Sequence, residues 1–121
     1  MFDLNLSAEI PLNEQIVEKT KLMIAKGILA NGDSMPSVRD LSKSLLINQS
    51  TVQKAYNKLK EEGILVSKPG LGTFVSIDEE KFDYERENII KDLYQIFLKC
   101  KLYNINFDKI KEIYEKTRED I

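Results

Sequence analysis

Histidine is absent from this chain, cysteine occurs once, and no apolar stretch approaches the roughly 18 residues that a membrane-crossing helix needs. Without histidine there is no Ser-His-Asp or Cys-His nucleophile, and the commonest general base near neutral pH is missing. Zinc sites that combine cysteine and histidine are excluded in the same way. The five glycines stand apart, at positions 27, 32, 63, 70 and 72, so no glycine-rich loop with its lysine cradles a phosphate. Catalysis would have to rest on carboxylates and lysines alone, and no convergent set of them can be assembled. The chain therefore reads as a non-enzyme with no cofactor and no metal. Cys100 has no partner for an intramolecular disulfide, and its place in an apolar helical pattern beside Phe97 and Leu98 marks it as core. The start, MFDLNLSAEI, lacks the basic segment and long apolar core of a signal peptide. No membrane association is implied, and the cytoplasm is the default location.

What is present is enough for a core. Of 121 residues, 42% are hydrophobic and 31% charged, which suits one compact domain with a modest appendage and leaves no room for a large ligand-binding domain. The net charge of -2 conceals an uneven distribution. Residues 34–76 carry six basic side chains against three acidic ones, a net +3, whereas residues 77–121 carry nine against twelve, a net -3. Positive charge is thus gathered in one segment, as a binder of polyanions requires.

That segment also has the most distinctive pattern. Pro11 suits the start of a first helix, with Leu12, Ile16, Thr20, Met23 and Ile24 on its buried stripe and Gly27 as its terminator. Asn31-Gly32-Asp33 signals a tight turn into a very short strand at Ser34-Met35. Pro36 then breaks the chain, and Ser37 with Asp40 resembles a capping box opening a second helix from about Val38 to Leu45. After the turn Leu46-Ile47, Asn48 caps a third helix to Glu62 that buries Val52, Ala55 and Leu59. Gly63 closes that helix. Two β-prone runs, Ile64 to Ser67 and Thr73 to Ser76, flank Lys68-Pro69-Gly70-Leu71-Gly72 and predict a hairpin. Asp78-Glu79-Glu80 reads as a linker. Beyond it, a long amphipathic helix from about Phe82 to Lys101 carries Phe82, Ile89, Ile90, Leu93, Ile96 and Phe97, with Glu87 and Lys91 as an i, i+4 pair. Asn104 marks a turn and Asn106 caps a last helix. The fold class is mainly α with a small β-hairpin: a winged helix-turn-helix domain, residues 1–76, followed by a two-helix C-terminal tail, residues 77–121. Neither tail helix can bury its apolar stripe alone, so the tail calls for the first domain or a second copy.

The stretch from Pro11 to Val75 resembles the DNA-binding domain of the GntR family of bacterial transcription regulators. The resemblance is carried by Pro11, Glu14-Gln15-Ile16, Gly27, Gly32-Asp33, Pro36-Ser37-Val38-Arg39-Asp40-Leu41, Thr51-Val52, Ala55-Tyr56, Leu59, Glu62-Gly63 and Gly72-Thr73-Phe74-Val75. The remainder is similar to the small YtrA-like branch, in which a two-helix tail mediates dimerisation. The chain departs from the family at Gln49 and near Leu71, where many members have a basic residue, and at Leu46-Ile47, where many have Gly-Val.

The resemblance implies a homodimeric transcription regulator that binds a palindromic operator in double-stranded DNA, by default as a repressor, often of a transporter operon. It leaves the effector, if any, unspecified. Arg39 matches the family arginine and can fork onto phosphate or a guanine edge, the competing reading being a surface ion pair with Asp40 or simple solvation. Ser37 stands beside it. Gln49, Ser50, Thr51 and Gln53 form a polar face that reads bases or phosphates, or is simply solvated. Tyr56 either offers its hydroxyl to a phosphate or belongs to the core. Lys54 and Lys68 are electrostatic contributors, and Gly70 and Gly72 let the wing backbone approach DNA. Phe82, Ile89, Ile90, Leu93, Ile96 and Phe97 are expected at the dimer interface. The rival function is a winged-helix protein-interaction module, because the fold alone does not establish DNA binding.

Overall fold

A computed structural model describes residues 2–6 and 9–120, with side chains as far as residue 117. Among the described residues, five helices and one hairpin follow in order: α1 Leu12–Ala25, α2 Val38–Leu45, α3 Gln49–Glu61, β1 Leu65–Lys68, β2 Gly72–Val75, α4 Glu79–Leu102 and α5 Phe107–Asp120. They form two compact units, Met1–Phe82 and Asp83–Ile121.

In the first unit, α3 is the central element, packing against α1, α2 and β1. Val52, Ala55, Tyr56 and Leu59 are sealed from solvent on its inner face, meeting Ile16 and Val17 of α1, Leu41 of α2, and Leu65 and Val75 of the hairpin. Thr20 is equally buried, which α1 tolerates because its hydroxyl donates to the Ile16 carbonyl one turn back, at 2.8 Å. Pro11 stands just outside α1, its carbonyl accepting from the Gln15 amide, so the helix proper begins at Leu12. Gln15 also fastens the N-terminal segment: its side chain exchanges bonds with the Asn5 backbone at 2.8 and 2.9 Å and donates to the Ile10 carbonyl at 2.8 Å. Lys21 Nζ lies 3.0 Å from Glu62 Oε2, an ionic contact without hydrogen-bond geometry that ties α1 to the end of α3.

The hairpin is antiparallel, with Leu65 opposite Val75 and Lys68 opposite Gly72. Its turn follows from the sequence: Pro69 and Gly70 are the two central residues, Gly70 has φ +75°, and the Leu71 amide donates to the Lys68 carbonyl at 2.9 Å. The short strand expected at Ser34-Met35 is present as a bridge from Ser34 to Phe74. It adds a third run to the outer edge of β2 through the bonds of Met35 to Thr73 and Val75 to Asp33.

Asp78-Glu79-Glu80 is not a linker. Asp78 heads α4, its carboxylate accepting from the Lys81 amide at 3.3 Å, and the acids of the first turn favour the positive end of the helix dipole. The acidic run that resembled a spacer is a helix start. The expected Glu87–Lys91 pair is replaced by an exposed contact between Arg86 and Glu87 at 3.8 Å.

In the second unit, α4 stops where Asn104 turns left-handed, φ +58°, and the Ile105 amide donates to the Cys100 carbonyl. Cys100 is buried, as its setting implied. The Asn106 side chain then accepts from the Lys109 amide at 3.0 Å and caps α5. Among the described residues, α4 and α5 do not approach along their lengths. Phe82, Ile89, Ile90, Leu93, Ile96 and Phe97 are all at least 40% exposed.

Candidate nucleic-acid interface

The helix-turn-helix is built by three local devices. Ser37 has extended backbone angles and its hydroxyl accepts from the Asp40 amide at 3.0 Å, which starts α2. Leu46 ends α2 in the left-handed region, φ +57°, and is 91% exposed. That conformation costs a leucine roughly 1–2 kcal/mol, which the packing of α2 on α3 offsets. Asn48, extended, then launches α3 without a side-chain cap.

Burial along α3 divides it cleanly. Gln49, Ser50, Gln53, Lys54, Asn57 and Lys58 are exposed, Thr51 is half-buried, and the residues between them form the core. The outer face holds amides, hydroxyls and ammonium groups, with no carboxylate before Glu61. Gln53 Nε2 donates to Asn57 Oδ1 at 2.8 Å. The i, i+4 spacing of Gln53 and Asn57 along the helix is the sequence signal for such a bond.

Arg39 lies in the first turn of α2, exposed, and among the described residues it pairs with no carboxylate. Asp40 is therefore not its partner. Tyr56, in contrast, leaves the list of surface candidates. It is completely buried, its hydroxyl donates to the Pro36 carbonyl at 2.6 Å, and burial pushes its phenol well above the usual tyrosine range. It sets the position of α2 and Arg39 against α3 from within the core.

The hairpin carries the remaining candidates. Lys68 is exposed, with its ammonium 4.9 Å from the centre of the Phe74 ring, a cation–π contact that holds the stem while the charge faces water. Gly70 and Gly72 are exposed at the tip with positive φ, and a side chain at either would meet open space. Leu71 between them is 73% exposed. Among the described residues no group of carboxylates and thiol could hold a metal ion, and no helix is long and apolar enough to cross a membrane.

Two helices joined by a tight turn, a supporting helix behind them and a hairpin beside them define a winged helix-turn-helix DNA-binding domain. The family described as bacterial regulatory proteins, gntR family, matches residues 12–75, more than half of the chain. The chain belongs to the GntR family of transcriptional regulators, and it is of the YtrA-like kind, with a short helical tail after the DNA-binding domain. It is 31% identical over 123 residues to the HTH-type transcriptional repressor YtrA of Bacillus subtilis (strain 168), an alignment covering all of this chain and 95% of that protein. Among solved structures it resembles a protein described as a transcriptional antiterminator from Listeria monocytogenes EGD-e, with TM-score 0.78 and 27% identity over 99% of this chain and 91% of the other. AraR(DBD) in complex with operator ORE1 superposes with TM-score 0.53 and 26% identity, covering 63% of this chain and 93% of that one. These relatives are regulators and not enzymes.

Proposed function

We propose that the chain is a sequence-specific repressor acting as a homodimer on an inverted-repeat operator, with α3 in the major groove, the wing beside it and the tail joining the two copies. The observation that carries the reading is the outer face of α3, polar and basic, together with an exposed Arg39 that pairs with no carboxylate among the described residues. A module that docked on protein would be expected to show apolar residues there. Ser37, Arg39, Gln49, Ser50, Thr51, Gln53, Lys54, Lys68, Gly70 and Gly72 form the proposed DNA surface, and occlusion of a promoter is the proposed mode of repression. The relative named as a repressor supports that sign of regulation. A transporter operon is the proposed target on family resemblance, and the cytoplasm, where such DNA lies, is the proposed location.

Titration of labelled duplexes from upstream of the protein's own gene, at several salt concentrations, tests the reading. Neutralising about five phosphates should make log affinity fall with log salt at a slope near -4.5. Absence of binding at low salt to every upstream fragment would overturn it.

A further inference from the structure

We infer that the operator half-site is read through adenine by Gln53, which Asn57 holds in the orientation that base requires. The inference rests on α3 occupying the major groove. Gln49, Gln53 and Asn57 succeed one another at four-residue spacing and so form a single row of carboxamides along the exposed side of α3. Within that row Gln53 Nε2 donates to Asn57 Oδ1 at 2.8 Å.

An amide nitrogen carries two hydrogens. With one on Asn57, the other stays available, beside the accepting Oε1. Adenine presents its N7 acceptor and N6 amino donor side by side in the major groove, which matches that donor and acceptor. Guanine presents two acceptors, N7 and O6, and would set O6 against Oε1. With Asn57 Oδ1 as the acceptor, the Gln53 nitrogen lies on the Asn57 side, since flipping Gln53 alone would bring two acceptor oxygens together. Gln53 therefore enters the groove already oriented, which lowers the cost of ordering a long side chain on binding.

The charged residues are placed for other work. Lys54 and Lys58 each follow a member of the row by one residue, about 100° around the helix, where they suit phosphates beside the groove. α3 carries no arginine for a guanine fork, and Arg39 is the sole arginine before Arg86. Asn57 is a positioning residue in this scheme.

Selection from random duplexes with the full chain, followed by competition between single-pair variants of the enriched site, tests the inference. The parent should enrich a half-site in which one pair prefers adenine to guanine by about tenfold or more. Gln53→Ala should lose that preference at that pair alone. Asn57→Ala should reduce the adenine-to-guanine ratio severalfold while binding of unrelated duplex at low salt is unchanged. Asn57→Asp keeps the accepting oxygen, so it should restore the ratio while weakening all duplexes alike through its charge. A purely structural role for Asn57 would alter the melting temperature and leave the ratio untouched. An unchanged ratio in Gln53→Ala or in Asn57→Ala, or a half-site with guanine preferred at every pair facing α3, overturns the inference and leaves DNA binding standing. A folded parent that binds no duplex at low salt overturns both.

Discussion

The phenol of Tyr56 donates a 2.6 Å hydrogen bond to the carbonyl of Pro36, joining the middle of α3 to the residue just before the Ser37 cap of α2. Twenty residues of chain separate the two groups. The bond fixes where the first turn of α2, and with it Arg39, stands relative to the exposed polar face of α3. It also satisfies the Pro36 carbonyl, which lies outside α2.

Tyr56→Phe keeps the ring and leaves the Pro36 carbonyl unpaired, so stability should fall by about 1–3 kcal/mol in urea unfolding. The pH dependence gives a second check. Burial raises the folded-state pKa above the unfolded value of 10, so above that pH the folded chain retains a proton that the unfolded chain has lost. The contribution of this group is therefore intact below about pH 10 and declines as pH rises further. Unfolding curves of parent and variant should converge in that alkaline range, and a constant gap between them would contradict the assignment.

Gly63 is required twice. Its φ is +74°, and a Cβ there would lie 2.8 Å from the Asp78 Cβ, where the start of α4 lies over the end of α3. Gly27 has a similar φ of +78° with open space around it. Gly27→Ala should cost only the conformational term, about 1 kcal/mol, whereas Gly63→Ala adds a collision and should cost about 2–4 kcal/mol. Thermal or urea unfolding of the two variants side by side measures the difference, and equal losses would show that Asp78 moves aside freely.

Arg39→Ala should weaken operator binding about tenfold or more, by more than Lys68→Ala does. An exposed guanidinium with no carboxylate partner among the described residues can fork onto a base or phosphate, while Lys68 is a single ammonium already resting on Phe74. Fluorescence anisotropy with the selected operator reads both. If the two folded variants bind like the parent, the DNA lies on another face.

The stripe on α4 should be covered by the same stripe of a second copy. Leu93 and Phe97 are 42% and 40% exposed in the single chain, and α5 does not fold over them. Leu93→Asp or Phe97→Asp should give monomers whose winged helix remains folded, with operator binding weaker by about a hundredfold or more because the two half-sites are no longer joined. Sedimentation of the parent as a monomer at micromolar concentration, with and without DNA, would remove the interface.

Local patterning in the sequence was sufficient for the elements of the first unit, because each is specified by neighbours in the chain: Ser37 and Asp40 for the start of α2, Pro69-Gly70 for the wing turn, Gly63 for the end of α3. The same holds for Asn104 and Asn106 in the tail. Where one motif served two purposes, sequence alone was not decisive. Asp78-Glu79-Glu80 has the composition of a linker and of a helix N-terminus alike, and it is the docking of Asp78 over Gly63 that selects the helix. Tyr56 stood undecided between surface and core, since its spacing fits both. A carbonyl distant in sequence and the closure of α1, α2 and the hairpin around α3 placed it inside. The sequence by itself thus determined the winged helix-turn-helix and its family, which are written in short-range spacing. Only the tertiary structure decided which polar groups remain free for DNA, because burial and hydrogen-bond partners depend on residues far apart in the chain.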